Sequence, residues 1–211
     1  NDKMPNITGS LQFREVSGED DSWRNLAYYA SGQWSVADKY YLQATGCLES
    51  SSRFGQDGDK GIGLFGVRWG IFPSLQAGWI ISSEPFMKDL SFINQLKWTA
   101  GIDYSGNDNM DNYASHPYFQ SVKFLGNATG IQLANIGNSS ISWEETRRIH
   151  TGLDFIVLNN RLHLNVDLYD DYIDNLLTLK YLKLISGQEK YWSNDGAMRN
   201  RGVDFSLYAK L

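Results

Sequence analysis

Cysteine occurs once in this chain, at Cys47, so no internal disulfide staples it and cysteine usage says nothing about its redox compartment. Proline is scarce too, at four residues in 211, which leaves backbone N–H groups available for long hydrogen-bonded ladders. A basic surplus is missing: the net charge is -5 and the densest basic spot is the pair Arg147-Arg148. A nucleic-acid-binding face is therefore excluded, since it needs clustered positive charge. There is no secretory leader and no apolar run long enough for a membrane-crossing helix. Neither absence excludes a membrane. A leader is cleaved from a mature exported chain, and a barrel strand needs only alternate residues to be apolar.

What is abundant is glycine, with 20 residues, and aromatic side chains, at 14 % with tyrosine the commonest. That mixture suits an antiparallel β protein with many turns. Period-two alternation supports it. Leu26, Tyr28, Ala30, Gly32, Trp34 and Val36 interleave with Ser31, Gln33 and Ser35. After Ala37-Asp38-Lys39 the alternation resumes as Tyr40, Leu42, Ala44, Gly46 and Leu48. Two amphipathic strands around a short turn make a hairpin.

A second hairpin carries Ile149, Thr151, Leu153, Phe155 and Val157, then Leu162, Leu164, Val166 and Leu168. Antiparallel partners share a face, so Val157 is expected opposite Leu162, Asp154 opposite Asn165 and Arg148 opposite Asp171. The same register sets Leu158 against Arg161 and leaves Asn159-Asn160 as a two-residue loop, asparagine tolerating the positive φ of primed turns. Further alternation runs through Leu75, Ala77, Trp79 and Ile81, through Leu96, Trp98, Ala100, Ile102 and Tyr104, and through Val203, Phe205, Leu207, Ala209 and Leu211. With a weaker opening strand over residues 7–16, the total is about eight. Each is near the length of roughly 9–11 residues that crosses a bilayer at a tilt.

The connections sort by length. Turns at 37–39 and 159–160 are short and the one over 82–93 is intermediate, while 51–65, 106–143 and 178–197 are long and polar. Strand parity puts the short turns at one end and the long loops at the other, the arrangement of outer-membrane barrels. Trp34 and Tyr40 beside a short turn, with Tyr28, Tyr104 and Tyr172 toward the opposite ends, suit interfacial girdles.

Sites for chemistry are few. His116, His150 and His163 have neither metal-ligand spacing nor a nucleophile elbow beside them, and are expected as solvated polar-face residues. Asp57-Gly58-Asp59 lacks the spacing of a calcium loop. Asp167, Asp170, Asp171 and Asp174 alternate faces, so their carboxylates do not converge, and Asp170 must lie outside hydrocarbon. No catalytic, cofactor-binding or metal-ligating set emerges, and no enzyme is expected. Trp143, Tyr181, Tyr191 and Trp192 lie near loops and are candidate ligand-contacting aromatics, because ring faces stack on the apolar faces of sugars.

Several local motifs now combine. Ser51-Ser52-Arg53-Phe54-Gly55 resembles the SSRFG motif of the SusC/RagA family of TonB-dependent transporters. Phe72-Pro73-Ser74, Ala77-Gly78-Trp79 and Ser83-Glu84-Pro85-Phe86-Met87 are similar to that family's FPS, AGW and SNEPFM stretch. Leu96-Lys97 leading to Ser105-Gly106-Asn107-Asp108-Asn109 resembles its LKLRASYGQTGND segment. Ser142-Trp143-Glu144-Glu145-Thr146 with Gly152-Leu153-Asp154-Phe155 is similar to its KWE and GLDF strand. Asn159-Asn160-Arg161-Leu162 and Asn200-Arg201-Gly202-Val203-Asp204 resemble its NNRL turn and NKGVE.

The resemblance implies an antiparallel transmembrane β-barrel of 22 strands, of which residues 1–211 hold about eight. It also implies an N-terminal plug, absent from this chain, and import of a glycan or peptide. Implied partners are outer-membrane lipid, a surface SusD-like lipoprotein and TonB acting through the plug, in the outer membrane of a Gram-negative bacterium. With Lys210-Leu211 still in the apolar alternation, the chain is expected to be an internal portion of such a transporter. The competing expectation is a soluble, secreted β-sandwich that binds carbohydrate or serves a structural role, with its alternate apolar residues packed against a second sheet.

Overall fold

Long strands dominate the computed structural model, which describes residues 21–124, 128–183 and 190–210. In chain order they are β1 (Asn25–Val36), β2 (Tyr40–Ser51), the short β3 (Ile62–Leu64), β4 (Val67–Ile80) and β5 (Ile93–Asn107). Then come β6 (Tyr118–Phe124), β7 (Ala128–Asn135), β8 (Glu144–Val157), β9 (Leu162–Asp174), β10 (Thr178–Tyr181), β11 (Lys190–Ser193) and β12 (Met198–Ala209). One antiparallel sheet has the order β1-β2-β4-β5-β8-β9-β12 with β3 beside β4, while β6-β7 and β10-β11 form separate two-stranded ribbons. Each long strand pairs with the one before it, which is an up-and-down meander. Among the described residues, strands β1 and β12 are the two open edges of the sheet. The opening strand expected over residues 7–16 lies outside the described residues.

The registers follow from the alternation. Val36 faces Tyr40 and Tyr28 faces Leu48 across the first hairpin. In the second, Val157 faces Leu162, Asp154 faces Asn165 and Arg148 faces Asp171. The loop of that hairpin differs from expectation. The ladder stops at Val157–Leu162, and Leu158, Asn159 and Asn160 all take left-handed conformations, with φ of 56°, 56° and 63°. Arg161 N donates to both Val157 O and Leu158 O at 3.2 Å. Leu158 and Arg161 share only that one bond, because the Leu158 N–H is drawn to Phe92 O, 3.0 Å away in the neighbouring connection.

Ile81 also departs from expectation, leaving the strand for a 3₁₀ turn (Ile81–Ser83) followed by a second (Pro85–Met87). The cause is Glu84. Its carboxylate accepts from Tyr40 Oη at 2.6 Å, Lys39 Nζ at 3.1 Å and Trp79 Nε1 at 3.2 Å, which folds the connection back over the end of β2.

Among the described residues no second sheet covers the apolar face. Leu153 is 40 % exposed, and Phe155, Leu164 and Val166 are only half-buried, by neighbours in their own sheet. The opposite face is a wall of paired polar groups. Arg148 holds Asp171 through two bonds of 2.7 Å, His150 Nε2 lies 3.0 Å from Asp103, and His163 Nε2 lies 2.7 Å from Asp154. Among the described residues the buried apolar cluster is Phe54, Phe72, Met110, Ala114, Ile141 and Trp143. It gathers at the long-loop end, where Phe72 and its cross-strand partner Cys47 occupy polar-face positions.

Candidate functional site

The three long connections do not wave free; they are tied to one another across the long-loop end. Ser51 Oγ donates to Asp108 Oδ2 at 2.8 Å, and Arg53 reaches Asn112 Oδ1 at 2.7 Å and Asp108 O at 3.1 Å while lying over the Trp23 ring. Phe54 then packs on Trp143 with ring centroids 4.5 Å apart, and Phe72 meets Trp143 edge-on at 5.3 Å. Gly55 is needed beside them: Gly55 N donates to Ile141 O, and a Cβ at this position would collide with the Ser139 backbone.

The third loop joins through Asn194. Its amide donates to Ser142 O and Asn175 O at 2.9 Å and accepts from Ser142 N at 2.8 Å. Glu144 adds bonds from Asn107 Nδ2 and Leu177 N, both 2.9 Å. A carboxylate or amide with every partner satisfied in a partly dry cluster fixes one arrangement of the loops.

On this anchored base the ribbons β6-β7 and β10-β11 flank a cleft of about 460 Å³. Its lining includes Asp111, Tyr118, Gln120, Gln132, Tyr191 and Trp192. Gln120 and Gln132 are cross-strand partners, so their amides stand side by side. Trp192 Nε1 donates to Asp111 Oδ2 at 2.9 Å, fixing its ring. At the foot of the β10-β11 ribbon, the Lys180 ammonium and then the Ser193 hydroxyl hold Asp195 below the usual carboxylate range. Lysine charge and ribbon geometry thus reinforce each other.

The four aromatic candidates separate. Tyr191 and Trp192 come together in the cleft wall. Tyr181, 82 % exposed, stands at the end of β10, outside the cleft lining. Trp143 is 2 % exposed and sandwiched by Phe54 and Phe72, with no open ring face to offer. Gln120, Gln132 and Asp111 were not singled out from the sequence. Asp111 is 81 residues from Trp192, and no local pattern links them.

A sheet with one polar and one bare apolar face, and its long loops gathered at one end, has the form of a barrel wall. Residues 3–210 match the family model described as TonB dependent receptor-like, beta-barrel. The chain belongs to that family.

TonB-dependent receptor P39 of Formosa agariphila is 33 % identical over 196 residues, covering 92 % of this chain and 18 % of that protein. TonB-dependent receptor SusC of Bacteroides thetaiotaomicron is 30 % identical over 193 residues, covering 88 % and 18 %. The chain therefore spans about a fifth of the length of these curated relatives. Among solved structures, that of the RagAB peptide transporter matches with a TM-score of 0.80 at 24 % identity over 90 % of this chain and 20 % of that one. The "closed-closed" RagAB peptide importer gives 0.83 at 23 % identity, covering 100 % and 23 %. These two likenesses concern the fold, a sector of a larger barrel.

Within a TonB-dependent receptor barrel the SusC/RagA-like motifs acquire physical meaning. Residues 51–55, 107–108 and 142–144 converge on the loop-anchoring cluster, and Glu84 anchors the opposite end. They are structural ties between the loops.

Proposed function

We propose that this chain forms wall and external loops of an outer-membrane, TonB-dependent importer of a nutrient, a glycan or a peptide. The observation that carries the reading is the single-layer sheet. Its outward positions are apolar from strand to strand, its inward positions are polar and paired, and every long loop leaves from one end. In that arrangement the strands are scaffold. Substrate passes on the polar side, and the loops, a SusD-like surface lipoprotein and a plug coupled to TonB supply selection and energy.

The cleft between the two ribbons is this chain's contribution to substrate contact. Side-chain amides beside aromatic rings suit a ligand rich in hydroxyl or amide groups. Both glycans and peptides meet that description. Tyr191 and Trp192 are the contacts of choice, and Tyr181 is placed to meet ligand further out.

Uptake by cells whose only copy of the full-length protein carries this segment tests the reading. Uptake is expected to cease when TonB is removed, and uptake that survives overturns TonB dependence. Trp192→Ala is expected to raise the concentration for half-maximal uptake on the order of tenfold or more, as loss of a central tryptophan contact does. An unchanged value would remove the cleft from the substrate path.

A further inference from the structure

Charge is absent from a broad band of the outward face and then returns abruptly. Outward positions of β1, β2, β4 and β5 from Leu26 to Tyr104 hold no Asp, Glu, Lys or Arg, nor do those from Ile149 to Val157, Leu162 to Leu168 and Val203 to Ala209. At the long-loop end two cross-strand rows break the pattern. They are Ile149–Asp170–Arg201 and Tyr104–Arg147–Tyr172–Arg199. Arg199 grips Asp170 through Nε at 2.9 Å and Nη2 at 2.6 Å, and Arg201 adds Nε at 3.1 Å.

One arginine would satisfy that carboxylate. Instead two guanidinium groups meet one acid, and a third, Arg147, stands in the next row. Most N–H donors of Arg199 and Arg201 stay free, and their side chains are 50 % and 61 % exposed. Arg147 lies 5.7 Å over the Tyr172 ring, its buried Nε without an acceptor among the described residues. In the row beyond, Lys60 bridges Glu145 and Asp174 and leaves one net negative charge there.

Below Asp170, the acid that Arg199 and Arg201 share, the outward face is hollow. A concavity of about 570 Å³ runs from Asp170 past Ile149 and Ile102 to Leu42. Its floor is set by the cross-strand partners Ala77 and Ala100. A methyl-floored trough below a cluster of planar cations has the shape of a lipid. Guanidinium groups bind phosphate through paired N–H donors, and basic residues at a membrane boundary select anionic headgroups.

We propose that the outward face from β4 to β12 binds a lipid with an anionic phosphate headgroup in the outer leaflet. The headgroup sits on Arg147, Arg199 and Arg201, with one acyl chain in the trough over Ala77 and Ala100. This rests on the reading that the apolar face meets lipid with the long loops outside.

The test uses the full-length protein in phosphatidylcholine nanodiscs containing phosphatidic acid as the phosphomonoester probe, with retained lipid counted by native mass spectrometry. The unmodified protein is expected to retain phosphatidic acid over phosphatidylcholine. Arg201→Gln, which leaves Asp170 paired with Arg199, is expected to weaken that preference about fivefold, and each further arginine removed by a similar factor. Ala100→Phe, which fills the trough without touching charge, is expected to weaken it too, and the inward Arg148→Gln to leave it intact. Equal retention by the unmodified protein, Arg201→Gln and the triple variant overturns the site while leaving the importer reading standing. Displacement by inorganic phosphate as effective as by short-chain phosphatidic acid overturns the lipid in favour of a free anion. Recovery of the protein in the soluble fraction overturns both readings.

Discussion

Glu84 illustrates how much one side chain organises. It is buried at the short-turn end, outside the crossing strands, and its carboxylate takes hydrogen bonds from Tyr40, Lys39 and Trp79. Those three donors, the Tyr40 hydroxyl first, hold it below its ordinary value of 4.5. A carboxylate lowered in the folded state supports the fold while ionised. Its contribution is therefore complete above 4.5 and is lost as pH falls through the lower folded value. Melting of the detergent-solubilised full-length protein is expected to decline more steeply for the unmodified protein than for Glu84→Gln as pH drops from about 6 to about 3. The two curves should converge at the acid end. Parallel curves would show that the carboxylate's charge is not what secures the turn. The SEPFM stretch that carries Glu84 was visible in the sequence, but its three donors, from Lys39, Tyr40 and Trp79, were not.

At the scale of elements, alternation is legible only where the two faces of a strand meet different media. Strands β1, β2, β4, β5, β8, β9 and β12 have one apolar and one polar face, which in the proposed reading meet hydrocarbon and a wet interior, so their cores and registers follow from period two. The ribbon β6-β7 stands in water on both sides, with Phe119 68 % and Ile131 79 % exposed, and shows no such contrast. Strand ends that rise past the apolar belt, such as the Glu144–Arg148 end of β8, lose the pattern for the same reason. The loop-anchoring cluster was hidden differently: its partners are far apart in sequence, 52 residues for Ser142 with Asn194 and 57 for Ser51 with Asp108, and only the fold unites them. The β8-β9 turn gives a test of local conformation. Leu158 is left-handed, a state that costs an ordinary side chain about 1 kcal/mol and a β-branched one more. In equilibrium unfolding, Leu158→Asn is expected to stabilise by about 0.5 kcal/mol and Leu158→Ile to destabilise by about 1 kcal/mol. Equal effects would show that the turn relaxes out of the left-handed region.

For the whole molecule the governing fact is that this sheet has no apolar interior of its own apart from the loop cluster. A soluble sandwich needs two apolar faces turned toward each other. Here Trp98, Leu153 and Val166 form one outward cross-strand row, and on the same strands Lys97, Asp154 and Asn165 form an inward one. The two rows lie back to back across a single sheet. On the proposed reading, a charge placed in the first row must enter hydrocarbon, while one placed in the second enters a wet lumen beside Asp154. Leu153→Arg is expected to cost about 2–4 kcal/mol when the full-length barrel folds into phospholipid vesicles, and Asn165→Arg less than about 1 kcal/mol. The asymmetry is the diagnostic quantity, because a sandwich core would punish Leu153→Arg with or without lipid. In vesicles of shorter acyl chain the Leu153→Arg penalty should shrink as the thinner belt brings the residue nearer the interface. A penalty independent of bilayer thickness would mean that protein, not lipid, covers Leu153.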